Sequence, residues 1–322
     1  MREFKMNMIY NLENIKCSII VVFYEGEDNF RNCLRSIADH CSSGTEVIVV
    51  NNSSEPCNCQ DINIYPLKII DHRQNVGFGR GVNIGLQAAS GKYIVLLNPD
   101  AELTDNFISE AMSLLSEKEE IAAVGAKLID PSGKQEPSAQ RFPTTASFFL
   151  EIFKMGYFRK DTMALLPSFT YHQKRYYVVD WLCGAAAVLR RKSLEQIGGF
   201  DEDYFLYYED VDLFKRLKKE NYQIVYSDEF VVKHLSRNEN DLYCKKFDSR
   251  IRIISNTNSA LIYWSKNDKK NIDLIRFTIV VNYILRILIW FFLPILKPQI
   301  TRDQVSQRIQ GYICSIMIAL FK

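Results

Sequence analysis

The sequence lacks the cysteine patterns typical of a zinc site or a redox pair. Its eight cysteines include no CxxC pair and show no zinc-like spacing with the four histidines. The one close pair, Cys57 and Cys59, is interpreted as two loop thiols. No apolar stretch of signal-peptide length precedes Cys17. We therefore expect reduced thiols and a cytoplasmic chain.

The chain also lacks internal repeats, low-complexity tracts and the composition of a disordered protein. Hydrophobic residues make up 47% of its 322 residues, enough for one large domain with an appendage or for two modest domains. The net charge of +2 hides an asymmetry, because the part from Lys233 onward carries +9 and the preceding part −7. A basic end on an acidic body predicts an anionic partner, first of all a phospholipid surface. No nucleic acid partner is expected.

Short apolar runs alternate with segments of helical spacing in the first part of the chain. Strands are predicted at residues 18–24, 46–50, 68–70 and 93–97, and helices around 30–37, at 81–89 and at 104–117. Asp28 is the expected N-cap of the first helix. This alternation predicts an α/β fold with a doubly wound, mostly parallel sheet and flanking helices. Ligands of such sheets bind at the carboxyl ends of the strands.

The later part of the chain divides into three stretches. Residues 130–177 lose periodicity and contain four prolines, which indicates a long excursion around a site. Order returns at 178–189, a helix is predicted to begin near Glu209, and two short strands are predicted at 223–226 and 230–233. The predicted domains are an N-terminal extension (1–16), the α/β domain (17–235) and a helical, basic and apolar C-terminal region (236–322).

Residues 274–296 are almost entirely apolar, with Thr278, Asn282 and Arg286 forming a narrow polar stripe. The segment is long enough to span a bilayer, but Arg286 would then lie in hydrocarbon at a cost of about 2.5–3.5 kcal/mol. We favour a helix that lies in the membrane interface with its arginines toward the headgroups. A spanning helix, and a helix packed on the protein or on a partner chain, are the alternatives. Residues 312–321 form a second apolar piece.

Residues 198–212 place six carboxylates within a run of aromatic residues. Acids in a first helical turn commonly complement the helix dipole, but this does not explain the aromatic residues that lead into them. Apolar walls tune the pKa of an acid, and aromatic faces accept a sugar ring. The stretch therefore predicts an acid–base site, with a carboxylate at the helix start suited to act as a general base.

Three further features suggest a phosphate-bearing substrate. Asp100, in Asn98-Pro99-Asp100, follows a strand and is placed to hold Mg²⁺ or Mn²⁺ against a diphosphate, although a plain turn explains the tripeptide equally. His234, at the end of a late strand, is the candidate second ligand. The glycines at 77, 79 and 81 lack the context of a dinucleotide fingerprint and are interpreted as close packing at a helix start, from which Arg80 can reach a phosphate.

Seven motifs in order resemble those of family 2 glycosyltransferases with a GT-A fold. They are Tyr24 after the first strand and residues 49–54, 75–78, 96–100, 184–186, 198–202 and 208–212. Within that family the chain is most similar to the rhamnosyltransferases of bacterial O-antigen and cell-wall polysaccharide assembly. The resemblance covers about residues 17–234.

The resemblance implies an inverting single displacement in which an acceptor hydroxyl attacks the anomeric carbon and a nucleoside diphosphate leaves. Asp210 matches the catalytic base, Asp100 the metal-binding acid, and His234 the histidine that completes the metal site. Substrate contacts are expected at Tyr24, Asn51, Asn75, Arg80, Asn98, Trp181, Gly184, Asp201, Tyr208 and Glu209. The chain departs from the family at Asn98 and Asn51, where aspartates are usual. The Asn51 amide is still able to hydrogen-bond a pyrimidine edge.

The predicted protein is a membrane-associated inverting glycosyltransferase on the cytoplasmic face of the inner membrane. We expect it to transfer a sugar, most readily L-rhamnose from dTDP-rhamnose, onto a lipid-linked oligosaccharide in O-antigen or capsule synthesis. The chain is also a possible homo-oligomer. One alternative is an inactive nucleotide-sugar-binding scaffold of an assembly complex. Another is a nucleotidyltransferase, which would need a glycine-rich basic loop where residues 23–28 are acidic.

Overall fold

The computed structural model describes residues 15–41, 43–59, 62–64, 66–152, 168–235, 249–296 and 300–321. The strands are β1 (Cys17–Phe23), β2 (Thr45–Asn51), β3 (Leu67–Asp71), β4 (Tyr93–Leu97), β5 (Ala101–Leu103), β6 (Ile121–Ile129), β7 (Gln135–Glu136), β8 (Ala139–Gln140), β9 (Phe169–Tyr171), β10 (Lys174–Val179), β11 (Trp181–Leu182), β12 (Ala186–Arg190) and β13 (Gln223–His234). The helices are α1 (Glu27–His40), α2 (Phe78–Ala88), α3 (Phe107–Glu117), α4 (Thr145–Ile152), α5 (Arg191–Gln196), α6 (Glu209–Lys219), α7 (Ser249–Asn267), α8 (Ile272–Leu296) and α9 (Arg302–Phe321). Most of the predicted N-terminal extension lies outside the described residues.

Within the described residues, eleven strands form one mixed sheet. Its order is β3-β2-β1-β4-β12-β6-β13-β10-β9, with β5 beside β13 and β7 beside β6. Strands β3, β2, β1 and β4 are parallel, as are β6 and β13, while β12 runs antiparallel between β4 and β6. The predicted α/β architecture with flanking helices is confirmed. The reversal at β12 left no trace in the periodicity of the sequence.

The sheet is covered on both faces, which explains why its central strands are continuously apolar. In β1 every residue is buried. Ile19 and Val21 pack on one face with residues of α1 and α3, and Ile20 and Val22 pack on the other with residues of α2 and α6. Because successive side chains of a strand point to opposite faces, a strand buried on both sides needs no polar positions.

Two predicted boundaries were wrong for local reasons. Helix α1 has Gly26 at its N-cap position, in a left-handed conformation with φ of 107°, so Asp28 lies inside the first turn and is not the N-cap. Residues 223–226 and 230–233 belong to one strand, β13, whose pairing with β6 shifts between Ser227 and Val231. An irregularity within a strand interrupts the alternation of side chains and imitates a strand end.

The stretch at 130–177 is more ordered than predicted where it is described. It contains β7, β8, α4, β9 and most of β10, and residues 153–167 lie outside the described part. Strand β7 pairs with β6, and β8 pairs with β11 in a separate two-stranded sheet.

The three C-terminal helices pack on one another and on the acidic-aromatic stretch. Tyr204 and Val211 share a buried cluster with Trp264 of α7, Ile279 of α8 and Tyr312 of α9. This cluster contacts the α/β domain through the loop that leads into α6. The helices are therefore part of the same folded body as the site.

The polar stripe of α8 faces the interior of the protein, which is opposite to the predicted direction. Thr278 and Asn282 are buried, and Arg286 donates to Asn282 Oδ1 at 2.7 Å, so the polar stripe faces the helical bundle and not lipid headgroups. Burying these groups requires local partners, which the helix supplies within itself. The outward side is apolar. Its exposed residues are Leu274, Phe277, Ile284, Leu285, Leu288, Ile289, Phe291 and Phe292.

Candidate active site

The loop before α6 carries the clearest backbone strain in the site. Tyr207 and Tyr208 both adopt left-handed conformations, with φ of 70° and 66°. Such conformations cost about 1–3 kcal/mol for residues that carry a side chain, and they persist only where the surroundings enforce them. Strain of this kind is concentrated at functional sites.

Contacts from two distant helices hold this strained loop. The carbonyl of Phe205 accepts a hydrogen bond from the Phe78 N–H of α2 at 3.2 Å, and that of Leu206 accepts one from Ser259 Oγ of α7 at 2.8 Å. Gly77, the predicted close-packing glycine, lies directly against the loop. A Cβ added there would lie 2.2 Å from the Phe205 carbonyl oxygen, and the φ of 88° also favours glycine.

Asp210, the predicted base, is held at the N-terminus of α6 by two backbone donors. Its Oδ1 accepts from the Val211 N–H at 2.8 Å, and its Oδ2 from the Gly184 N–H at 3.3 Å. Burial raises its pKa to about 6, against the opposing effect of these hydrogen bonds. A carboxylate with a pKa near 6 is ionised at neutral pH yet basic enough to accept a proton.

Glu209, its neighbour, is more deeply buried and is only 7% exposed. Burial, followed by the charge of Asp210, raises the pKa of Glu209 to about 8. Burial opposes ionisation of both acids, and the charge of Asp210 adds to that effect at Glu209, so the two carboxyl groups lose their protons as a coupled pair.

Asp100 and His234, the predicted metal ligands, lie next to each other. Strand β5 pairs antiparallel with β13, with Ala101 opposite His234, and this pairing brings the two residues together. Asp100 Oδ1 lies 3.4 Å from His234 Nε2, and the Asn98 amide nitrogen is also 3.4 Å from Nε2. Burial disfavours the charged imidazole, but the neighbouring carboxyl groups of Asp100 and Glu136 outweigh it and raise the pKa of His234 to about 9.

Glu136 is a site residue that the sequence did not reveal. It lies on β7, opposite Leu128 of β6, and its Oε2 is 2.8 Å from His234 Nδ1. A carboxylate on one nitrogen of an imidazole fixes the ring orientation and directs the other nitrogen toward a ligand. The aperiodic stretch around Glu136 carried no signal for this contact, which depends on the pairing of a two-residue strand.

The chemistry of Asp100 and His234 fits a divalent cation. Asp100 Oδ1 is buried, and apart from the long 3.4 Å contact with the His234 imidazole it has no hydrogen-bond partner among the described residues. A carboxylate oxygen beside an imidazole nitrogen suits Mn²⁺, and a carboxylate with water and phosphate oxygens suits Mg²⁺. The part of the chain that is described contains no cluster of three or more His, Cys, Asp or Glu side chains able to hold a metal alone. The remaining coordination would have to come from a diphosphate and water.

Asn51 corrects the expectation that its amide contacts a pyrimidine. Asn51 is fully buried, and its Oδ1 accepts from the Ser53 N–H at 2.9 Å. Its Nδ2 donates to the Glu55 carbonyl at 2.9 Å and to Asp71 Oδ1 at 2.7 Å. Both N–H groups of the amide are therefore engaged within the protein, and its oxygen accepts one internal hydrogen bond in a fully buried side chain. It positions Asp71, an exposed acid at the carboxyl end of β3.

Several other predicted contacts lie in the turn before α2 and beside Asp210. Asn75 Oδ1 accepts from the Gly77 N–H at 3.1 Å, and exposed Arg80 lies 3.4 Å from Glu202. Tyr24, directly after β1, is half-buried. Gly184 lies against Asp210, and a Cβ added to Gly184 would lie 3.2 Å from the Phe78 ring. These placements leave Arg80 at the surface.

Other acids of the 198–212 stretch have structural partners. Lys266 of α7 bridges Asp201 and Asp203, each at 2.6 Å, so Asp201 fastens the loop to α7. Asp212, in the first turn of α6, is buried and pairs with Arg216 at 2.7 Å. Asp201, predicted as a substrate contact, is thereby engaged within the protein.

The two predicted aromatic walls lie between the sheet and the C-terminal helices. Trp181 is half-buried and donates from Nε1 to the Arg141 carbonyl at 2.9 Å. The ring of Tyr208 packs on that of Tyr263, with centroids 5.3 Å apart. Tyr207 is the more exposed of the loop tyrosines, at 36%.

Two family models match the chain. The first is described as Glycosyl transferase family 2 and covers residues 18–198, more than half of the sequence. The second, described as the N-terminal domain of galactosyltransferase, covers residues 167–236.

Similar proteins include two rhamnosyltransferases. The N-acetylglucosaminyl-diphospho-decaprenol L-rhamnosyltransferase of Mycobacterium tuberculosis is 26% identical over 233 residues, which is 67% of this chain and 75% of the relative. Rhamnosyltransferase WbbL of Escherichia coli is 25% identical over 56% of this chain and 74% of its own length. The hexosyltransferase Agl10 of Haloferax volcanii is 26% identical over 64% of this chain and 63% of its own.

Solved structures share the fold at low identity. GalNAc-T7, crystallised with UDP, GalNAc and Mn²⁺, aligns over 94% of this chain with a TM-score of 0.56 and 14% identity; the match spans about half (54%) of the GalNAc-T7 chain. The mannosyltransferase PcManGT of Pyrobaculum calidifontis, in complex with GDP-Man and Mn²⁺, aligns over 94% of this chain and 86% of its own, with a TM-score of 0.51 and 14% identity. With the fold, the site and the family match in agreement, the chain belongs to glycosyl transferase family 2 and is a glycosyltransferase.

Proposed function

We propose that the protein transfers L-rhamnose from dTDP-rhamnose onto a lipid-linked glycan, with inversion at the anomeric carbon, during synthesis of a bacterial surface polysaccharide. The similarity to two rhamnosyltransferases, one of which is named for a diphospho-decaprenol substrate, supports this choice of sugar and acceptor. The apolar outer side of α8 supports an acceptor that is anchored in a membrane.

The observation that carries the catalytic role is the environment of Asp210. Its half-buried carboxylate lies at a helix N-terminus, beside a second acid whose pKa burial raises, and follows two strained tyrosines. In the proposed step, Asp210 takes the proton of the acceptor hydroxyl while the hydroxyl oxygen bonds to the anomeric carbon. The bond from that carbon to the diphosphate oxygen breaks, and its electron pair leaves with the diphosphate.

Asp100 and His234 are the proposed ligands of a divalent ion, Mg²⁺ or Mn²⁺. When bound, such an ion neutralises charge that develops on the leaving diphosphate. Glu136 would hold the imidazole so that Nε2 faces the ion. The further contacts proposed for donor and acceptor are Tyr24, Asn75, Arg80, Asn98, Trp181, Gly184, Tyr208 and Glu209.

The decisive test is Asp210→Asn, with Asp203→Asn as the matched control on the same stretch. Asp203 is exposed and pairs with Lys266, so its loss should leave turnover nearly unchanged. The Asp210 variant should lose about 10²–10⁴-fold in turnover while it still binds the donor. Equal activity of the two variants would support a scaffold without catalysis. A transfer that proceeds with a UDP-hexose but not with dTDP-rhamnose would overturn the choice of sugar alone.

We also propose that the protein binds the cytoplasmic surface of the inner membrane through α8. Residues Lys269–Pro294 are long and apolar enough to cross a membrane, and only 22% of the most apolar window is buried. An interfacial helix buries one apolar side, and α8 exposes one such side while its polar stripe is internal.

The membrane proposal is tested by a surface double variant, Phe277→Ser with Phe291→Ser. These side chains are 65% and 68% exposed, so the fold should tolerate their loss. Each contributes about 1.5–3 kcal/mol when buried in lipid, so vesicle partitioning should fall by at least tenfold. The control is Ile69→Ser, an exposed apolar residue on β3. Unchanged sedimentation of the double variant with vesicles would refute the proposal.

A further inference from the structure

A cavity of about 550 Å³ lies next to the candidate active site, and none of the proposed catalytic residues lines it. Its walls come from the start of α4, from Lys215 of α6 and from the end of α7. Lys215 follows Asp210 on the same helix, about 7.5 Å farther along the axis and on a different side of it. Tyr263 also lines the cavity, and its ring packs on Tyr208 directly before the acidic pair.

Hydrogen-bond donors of three kinds converge on this cavity. Lys215 lines it from within and Lys270 from its exposed rim. Thr145 and Ala146 supply the first turn of α4, where N–H groups lack intrahelical partners and attract anions, while the N–H groups of Thr144 and Ser147 are taken by the Ser147 and Thr144 hydroxyls. Trp264 lines the cavity while 98% buried, and its Nε1–H has no acceptor among the described residues. A buried donor in this state calls for an acceptor that the chain does not supply.

One carboxylate faces the same space. Asp268 lines the cavity, and its Oδ2 accepts from the Asn271 side chain at 2.7 Å. Lys215 has a neutral partner, the Tyr263 hydroxyl at 3.1 Å. Two cations therefore oppose one carboxylate, and the lining keeps a net positive charge. Charge and donor geometry together favour phosphate oxygens over a neutral polyol.

The position of Lys270 connects this cavity to the apolar side of α8. The helix begins two residues later, and its first exposed apolar side chain is Leu274, followed by Phe277. A molecule with phosphate in the cavity and a hydrocarbon chain would find an apolar surface directly beside its headgroup. Lysines at the end of an apolar helix commonly occupy this headgroup level.

We propose that the cavity binds the diphosphate of the lipid that carries the acceptor glycan, with the lipid chain lying along α8. Lys215, Lys270, the start of α4 and the Trp264 N–H bind the phosphate oxygens. The proposal rests on the proposed function and adds the place where the acceptor is held.

The test measures binding of farnesyl diphosphate to the full chain by calorimetry. Lys215→Ala with Lys270→Ala should raise the dissociation constant at least tenfold. The matched control, Lys219→Ala with Lys269→Ala, removes two neighbouring lysines that do not line the cavity and should change it less than twofold. Lys270→Glu is a second variant at an exposed position, and it should weaken binding by more than the control does.

Three outcomes would overturn the inference. One is equal weakening by both double variants, which indicates general charge attraction. A second is that inorganic pyrophosphate binds as tightly as farnesyl diphosphate, which indicates a free-phosphate site. A third is unchanged binding in the Lys215 and Lys270 variants. If farnesyl diphosphate binds as expected but no sugar is transferred to a lipid-linked acceptor, the proposed function fails and the lipid-diphosphate site stands.

Discussion

Replacing Glu209 with Gln should stabilise the protein at neutral pH, and the gain should increase with pH. In the folded chain, burial and the charge of Asp210 raise the pKa of Glu209 from 4.5 to about 8. In the unfolded chain the carboxyl group ionises near 4.5. Between these values the folded state binds the proton that the unfolded state has released, so stability falls as pH rises through this window.

The magnitude follows from the width of the window. Each pH unit within this window lowers the free energy of unfolding by about 1.4 kcal/mol. Ionisation of Glu209 in the unfolded chain therefore destabilises the folded protein by about 3 kcal/mol between pH 4.5 and 7. A glutamine of the same shape does not ionise and escapes this loss. We therefore expect the variant to be more stable than the native chain by about 1 kcal/mol at pH 5 and about 3 kcal/mol at pH 7, relative to their difference at pH 3.

Urea unfolding at pH 3, 5, 6, 7 and 8 measures this difference directly. The matched control is Glu202→Gln, an exposed acid of the same stretch, which should shift stability by less than about 0.5 kcal/mol at every pH. A difference between the Glu209 variant and the native chain that stays constant with pH would refute the reasoning.

The same variant tests the order in which the two acids ionise. If Glu209 keeps its proton while Asp210 titrates, the variant should retain the acidic limb of kcat near pH 6, with activity rising as Asp210 loses its proton. If the acidic limb of the kcat profile moved by more than one pH unit in the variant, ionisation of Glu209 would be responsible for that limb.

Two further substitutions probe the metal pair and the loop. Glu136→Gln should release the orientation of His234 and weaken Mn²⁺ binding about 10–100-fold, as measured by titration calorimetry in the presence of dTDP. An unchanged affinity would exclude this positioning role. Gly77→Ala should destabilise the fold by at least about 2 kcal/mol and reduce turnover, because its Cβ would meet the Phe205 carbonyl and its φ would be strained. Gly133→Ala is the control, because φ is 81° there but no atom lies within 4 Å of the added Cβ, so only backbone strain is introduced. Equal losses of stability in the two variants would contradict a steric clash at Gly77.

Much of the fold was predictable because central strands buried on both faces read as uninterrupted apolar runs. Residues 93–97 were predicted and found as β4, and α6 begins at Glu209 as expected. The proximity of Asp100 and His234 was inferred because a divalent cation at Asp100 requires a second protein ligand. In the structure, the pairing of β5 with β13 brings the two residues together. Sheet order was not predictable from periodicity, which is why the antiparallel β12 was missed.

The incorrect expectations share a physical origin in side-chain direction. A sequence shows that Thr278, Asn282 and Arg286 lie on one side of a helix, but not whether that side faces the bundle or the lipid. The chemistry of an asparagine likewise does not reveal that Asn51 is already saturated by Ser53 and Asp71. Both outcomes depend on neighbours that are distant in the chain.

The attachment of the strained loop to α7 has a consequence for the order of events during synthesis. Ser259 holds the carbonyl of Leu206, and Lys266 holds Asp201 and Asp203, across separations of 53 to 65 residues. A nascent chain that has completed every strand of the sheet still lacks these contacts while α7 remains inside the ribosome. The loop that carries the acidic pair therefore gains these contacts only after α7 has emerged, so the last third of the chain completes the geometry of a site whose other residues lie in the first two thirds.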